Sequence, residues 1–101
     1  MTTELRDYRI RAGNLDEFLA AWSAGVPRLR SAHGFRIDGA WVVRSEDRFL
    51  WLLSLDGDLD EFERRNNGYY ADPQRKAMDP DPAAWVERAD HVFVEPLEAV
   101  G

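Results

Sequence analysis

Residues 35–55 read Phe35-Arg36-Ile37-Asp38-Gly39-Ala40-Trp41-Val42-Val43-Arg44-Ser45-Glu46-Asp47-Arg48-Phe49-Leu50-Trp51-Leu52-Leu53-Ser54-Leu55. Two runs rich in β-branched, aromatic and aliphatic residues flank Ser45-Glu46-Asp47, the pattern of a β-hairpin. Pairing Arg44 with Arg48 sets Val43 opposite Phe49, Trp41 opposite Trp51 and Gly39 opposite Leu53. One face of the hairpin is then aromatic and bulky. The other carries Ala40, Val42, Leu50 and Leu52, with Arg36 and Asp38 toward its end. The second run is apolar on both faces over most of its length, as an inner strand covered twice would be.

Upstream, Glu4–Arg11 alternates through Leu5, Tyr8 and Ile10 and predicts a first strand. After the turn Ala12-Gly13-Asn14, the residues Leu15, Phe18, Leu19, Trp22, Val26 and Leu29 recur at helical spacing. Asn14 with Glu17 three residues on resembles a capping box. Pro27 cannot donate back to Ser23, so a kink or restart is expected near Gly25. Gly34 suits a left-handed helix stop after His33. Downstream, Asp58 and Glu61 open a second helix with Leu59, Phe62, Asn66 and Tyr69 on its inner stripe. Asp72-Pro73 and Asp81-Pro82 each pair a cap residue with a proline at the first helical position. They predict short turns near Gln74–Met78 and Ala83–Glu87. His91–Leu97 alternates as a last strand.

The order is therefore strand, helix, strand, strand, helix, strand, an α+β chain of the ferredoxin-like βαββαβ type with a four-stranded antiparallel sheet, read as one domain over residues 1–101. Right-handed crossovers put both helices on one side of the sheet. The other side would expose more apolar surface than a monomer usually shows. The expectation is a homodimer, packed sheet to sheet around a small-molecule cavity.

The 101 residues are 45% hydrophobic and 12% aromatic, enough for a core, and carry a net charge of −6. No basic run is present, so nucleic acid and anionic membrane are not expected partners. There is no cysteine, which removes disulfides, thiolate nucleophiles and cysteine-bound zinc. Met1–Ile10 is polar and charged, unlike a signal peptide, and no apolar run reaches the length of a membrane span. The expected location is cytoplasmic. No metal-ligand spacing, glycine-rich phosphate loop or nucleophile motif appears. No metal and no cofactor are expected, His91 being the one residue suited to ligate a haem.

Glu4-Leu5-Arg6-Asp7-Tyr8, followed by Gly13 and Leu15-Asp16-Glu17-Phe18, resembles the opening of NIPSNAP-family proteins, as does Gly39-Ala40-Trp41. Tyr69-Tyr70-Ala71-Asp72-Pro73-Gln74-Arg75-Lys76-Ala77 resembles the tyrosine-rich segment of a bacterial branch of that family. The resemblance covers nearly the whole chain and rests on the order of these stretches. It implies a dimeric α/β barrel, a class that includes cofactor-free monooxygenases, cyclases and isomerases and some haem proteins. It implies where a site lies more than which reaction runs there.

Arg6, Asp7 and Arg9 lie on a strand that this topology makes central, where polarity calls for a reason. They would bind an oxygen-rich or anionic ligand, or form an Arg–Asp pair at a seam or strand end. If Ile10 packs under the helices, Arg6 and Tyr8 share its side, and Asp7 and Arg9 face the barrel. Trp41 and Trp51 would wall an aromatic pocket, or simply pair across strands in the core. Trp22 and Trp85 are expected on helices away from the sheet interior. Tyr69, Tyr70 and Arg75 follow the second helix and would close over a pocket mouth, unless one tyrosine is core and Arg75 pairs with Asp72. Asn66, on an apolar stripe, is expected to bond backbone. His33 sits at a helix C-terminus, where the dipole favours its charged form. His91 would serve as a general base at the cavity mouth, or as an ordinary surface residue.

The resulting expectation is a NIPSNAP-like small-molecule-handling protein. It takes His91, Tyr69 and Arg75 as catalytic residues, and Arg6, Tyr8, Trp41, Trp51 and Tyr70 as ligand-binding ones. Its reaction would be isomerisation, cyclisation or oxygenation of a small aromatic or polycyclic compound without cofactor. Two other readings stay open: a binding protein without turnover, and a structural or interaction module.

Overall fold

The computed structural model describes residues 1–98. The elements run β1 (Thr2–Ile10), α1 (Leu15–Ala32), β2 (Phe35–Val43), a 3-10 turn (Arg44–Glu46), β3 (Arg48–Leu55), α2 (Leu59–Ala71), α3 (Pro73–Lys76), a second 3-10 turn (Pro82–Trp85) and β4 (Val86–Val94). The strands form one sheet in the order β2-β3-β1-β4, each adjoining pair antiparallel. This is the ferredoxin-like arrangement the element order implies. β1 and β3 hold the two inner positions. No helix among the described residues is long and apolar enough to cross a membrane.

The core fills the space between the sheet and the helices. Phe18, Trp22 and Val26 of α1 pack on Phe49, Trp51, Leu53 and Leu55 of β3, with Phe35, Ile10 and Phe62 closing the ends. Trp22 meets Phe49 and Trp51 edge-on at 4.9 and 5.4 Å between ring centroids. These T-shaped contacts suit the ring quadrupoles. Leu59 is exposed instead of joining the inner stripe of α2.

The proline inside α1 does not divide it, for the helix runs unbroken from Leu15 to Ala32 through Pro27. Asn14 precedes α1 without capping it through its side chain. It bonds Glu17 and accepts from Arg11 Nε at 2.7 Å instead. The three aspartate caps do form. Asp58 accepts from the Glu61 amide, Asp72 from Gln74 and Asp81 from Ala83, at 2.8–2.9 Å. β4 starts five residues before the expected position, at Val86, so the second short turn ends at Trp85.

The hairpin register differs from the even pairing. The connection takes four residues, so Val43 lies opposite Arg48, and an irregularity between Ile37 and Gly39 adds one residue to β2. Trp41 therefore stands opposite Leu50, and Trp51 opposite Ala40. The two tryptophans lie on opposite faces, because a shift of one residue reverses every side chain of a strand. Trp41, 52% exposed, lies on the open face with its indole folded over Gly39. A Cβ at Gly39 would fall about 2.5 Å from that ring. The open face continues through Leu50, Leu52, Leu5, Val92 and Val94.

Candidate functional site

The alternation of β1 turns Glu4, Arg6, Tyr8 and Ile10 toward the helices. Two of these are charged and almost fully covered, with Glu4 4% and Arg6 8% exposed. Arg6 Nε donates to Glu4 Oε1 at 2.5 Å. Its other nitrogens donate to Tyr70 Oη at 3.0 Å and Asn66 Oδ1 at 3.2 Å. The last turn of α1 sends Arg30 to the same two acceptors, at 2.8 Å to Asn66 and 3.3 Å to Tyr70. One turn of α2 separates Asn66 from Tyr70, so both acceptors face inward together. Asn66 thus bonds two arginines and not backbone.

Arg30 is 1% exposed. Its guanidinium lies 3.7 Å from the Tyr69 ring centroid, and 5.0–5.8 Å from those of Phe35, Tyr70 and Trp51. Aromatic faces attract a cation, but they do not replace lost water. Burial, and then the charge of Arg6, lower the Arg30 pKa to about 10. The side chain remains charged at neutral pH. For Arg6, burial opposes the charged form, yet the Tyr8 and Tyr70 hydroxyls and Glu4 hold it above the ordinary arginine value.

Beside this network lies a pocket of about 190 Å³. The sheet contributes Tyr8 and Trp51, α1 contributes Trp22 and Arg30, and the last turn of α2 with α3 closes it through Tyr69, Tyr70 and Arg75, so the two tyrosines end the second helix and do not follow it. Arg75 pairs with Asp81 at 3.1 Å. Asp72, the partner expected for it, instead meets His33 Nε2 at 2.7 Å and ties the end of α1 to α3. Trp22 Nε1, Trp51 Nε1 and Arg30 Nε are buried without a hydrogen-bond partner among the described residues. Burial raises the Tyr8 pKa despite the nearby Arg6 and Trp51 side chains. Burial likewise raises that of Tyr69 against the pull of Arg30 and Arg75.

A second pocket, about 260 Å³, adjoins the first at Tyr8, Tyr70 and Ala89. Its remaining wall is polar: Glu4, Arg6, Asn66, Asp90 and His91. His91, 67% exposed at its side chain, holds Nδ1 3.3 Å from Glu4 Oε2. Glu4 therefore stands between a buried arginine and an open histidine. Among the described residues, no three His, Cys, Asp or Glu side chains are grouped to hold one metal ion.

The two pockets bring together Arg6, Tyr8, Trp51, Tyr69, Tyr70, Arg75 and His91. Trp41 is elsewhere, on the opposite face of the sheet, as are Asp7 and Arg9. Both pockets are on the helix-covered side, within one chain, and not in the space that paired sheets would enclose. Asp7 and Arg9 do face away from the helices, where they form ion pairs with Arg48 and Glu46. Sequence reasoning missed Arg30, Glu4 and the place of Trp22 in the wall. The spacing of four from Trp22 through Val26 to Arg30 already puts the arginine on the inner stripe.

The family model for NIPSNAP proteins matches residues 3–99. The chain belongs to the NIPSNAP family. A NIPSNAP domain protein from Burkholderia xenovorans is 27% identical, with 96% of this chain and 95% of that one covered and a TM-score of 0.83. A NIPSNAP family protein from Agrobacterium tumefaciens is 19% identical over 96% and 93% of the two chains, at a TM-score of 0.83. An antibiotic biosynthesis monooxygenase shares the fold at 11% identity, covering 96% and 99%, with a TM-score of 0.69. A search of the curated proteins gave no match. This NIPSNAP chain thus has the fold of the dimeric α/β barrel class.

Proposed function

We propose that this NIPSNAP protein is a cytoplasmic, cofactor-independent enzyme that binds a small aromatic compound in the pocket between Tyr8, Trp22 and Trp51. One observation carries the reading: an aromatic-walled pocket shares the Tyr8, Tyr70 and Ala89 wall with a polar one that holds a Glu4–His91 pair. The first chamber positions a planar ring. In the second, His91 Nε2 takes a proton from an acidic C–H or O–H of the bound molecule. The imidazolium then keeps its Nδ1–H toward Glu4, and Tyr69 and Arg75 donate to the oxygen on which negative charge gathers. This chemistry serves isomerisation or cyclisation and, where dioxygen takes the electrons of the deprotonated substrate and supplies the oxygen atom, oxygenation. Because an antibiotic biosynthesis monooxygenase shares the fold, oxygenation is the first of the three to assay. The exposure of His91 favours a second reading, binding without turnover.

Tryptophan emission tests the pocket. A planar phenol such as 1-naphthol should quench it, and Trp51→Phe should remove most of the change. Trp41→Phe is the control, since that indole lies across the sheet; Trp22 cannot serve, as it lines the pocket. Arg75→Ala and Tyr69→Phe should each weaken binding by about 1–3 kcal/mol. His91→Ala should abolish turnover while leaving binding intact, and a variant that still turns over removes the histidine from the mechanism.

The protein is further proposed to form a homodimer. A second copy packed on the open face would cover Trp41, Val92 and Val94. Light scattering coupled to gel filtration at low micromolar concentration should give twice the chain mass.

A further inference from the structure

We infer that the ligand of the aromatic pocket is a compact aromatic monoanion, of the class of benzoate, whose oxygens accept from Arg30 and from the Trp22 indole. The inference rests on the reading that this pocket binds an aromatic molecule, and fixes its charge and size.

Charge is the first argument. Among the described residues two cationic side chains line the pocket, Arg30 and Arg75, and no carboxylate does. Each neighbouring guanidinium except one has its anion: Asp81 stands 3.1 Å from Arg75 and Glu4 2.5 Å from Arg6. Arg30 makes no ion pair among the described residues. It shares Asn66 and Tyr70 with Arg6, and both acceptors are neutral. A buried cation without a counter-charge is costly to keep folded. An anion entering the pocket supplies what the fold omits.

Hydrogen-bonding capacity is the second. An indole N–H and a guanidinium N–H can only donate. Two such donors, Trp22 Nε1 and Arg30 Nε, are buried and unpaired among the described residues, and both belong to residues of this one pocket; the Trp51 indole lies beside the Tyr8 hydroxyl. The complementary group must accept several bonds, as a carboxylate does and an amine does not. Tyr69 and Tyr70 do not change this sign, for Tyr70 Oη already accepts from both arginines.

Size is the third. A cavity of roughly 150 Å³ holds benzene, so one of about 190 Å³ suits one ring bearing a carboxylate. It is small for a polycyclic compound.

Calorimetric titration with benzoate, benzamide and benzylamine, alike in shape and differing in charge, tests this. Benzoate should bind about tenfold or more tighter than benzamide, the difference a charge-assisted hydrogen bond supplies, and benzylamine should not bind. Arg30→Met, checked by its melting temperature, should erase the preference and leave benzamide unaffected. Trp22→Phe keeps the ring and removes one donor, and should weaken benzoate more than benzamide. Equal affinity for benzoate and benzamide, or a preference that survives Arg30→Met in a folded variant, overturns the anion assignment while the aromatic pocket stands. If none of the three binds, the pocket reading falls with it.

Discussion

On the outward side of β1, Asp7 accepts two bonds from Arg48, at 2.9 and 2.7 Å, and Arg9 pairs with Glu46. On the inward side, Glu4 answers Arg6, and among the described residues Arg30 goes without a carboxylate. The same residue types are half-solvated and each matched on one face, buried with one cation left over on the other. Water pardons a misplaced charge, whereas the interior does not. An imbalance that the fold tolerates under the helices therefore indicates use, and a balanced pair on the outer face indicates packing and solubility.

The largest test of this contrast removes one arginine from each face. Arg6→Met leaves the Glu4 carboxylate buried with only the open His91 nearby, and should cost about 3–5 kcal/mol in urea unfolding. Arg48→Met should cost less than about 1 kcal/mol, since its pair is partly hydrated. Equal losses would end the distinction.

Neighbouring leucines sharpen it. Leu53→Ala, beneath the helices, should lose about 2–5 kcal/mol. Leu50→Ala, on the open face, should act mainly through self-association, making the melting temperature more dependent on protein concentration.

Arg30→Met moves stability the other way. Replacing an unmatched buried charge with an apolar chain should leave unfolding free energy unchanged or raise it by about 1 kcal/mol. Asn66 and Tyr70 keep Arg6 as donor. A loss as large as that of Arg6→Met would mean that the aromatic cage alone satisfies the cation.

The smallest effect is in acid. Hydrogen bonds from Arg48 hold the Asp7 carboxyl below its usual range. Its folded pKa is thus below the unfolded one. The stability it adds is complete above the ordinary carboxylate value, near 4, and is lost as pH falls through the depressed value. Thermal melts between pH 2 and 5 should show a shallower acid decline in Asp7→Asn than in the parent.

Much of this was legible in the sequence because it is local. The stripe from Leu15 to Leu29, the Asp58, Asp72 and Asp81 caps and the order of elements each depend on residues a few positions apart. The alternation from Arg6 to Ile10 also set the face of Tyr8 correctly. What could not be read depends on distant partners. The hairpin register turned on the four-residue connection, which set Val43 opposite Arg48 and so moved Trp41 across the sheet, and one extra residue near Asp38, which bonds Ser54 and Arg36, restored the phase beyond it. The Arg6–Arg30 network needs α1, α2 and β1 assembled before Asn66 has anything to bond, so no sequence window contains it. Asn14 had the right residue for a cap, but Arg11 and Glu17 competed for its side chain.

The irregularity in β2 also sets which single-residue losses this lineage can survive. Ile37 opposite Leu53 and Gly39 opposite Leu52 are already in phase on either side of Asp38. Deleting Asp38 would splice two correctly phased halves into a regular strand. Deleting Val42 with the hairpin connection held would carry Trp41 to the position opposite Phe49, beneath the helices, where Phe18, Trp22 and Phe49 already pack. Two gaps four residues apart in the same strand would thus have opposite fates, one neutral and one ruinous.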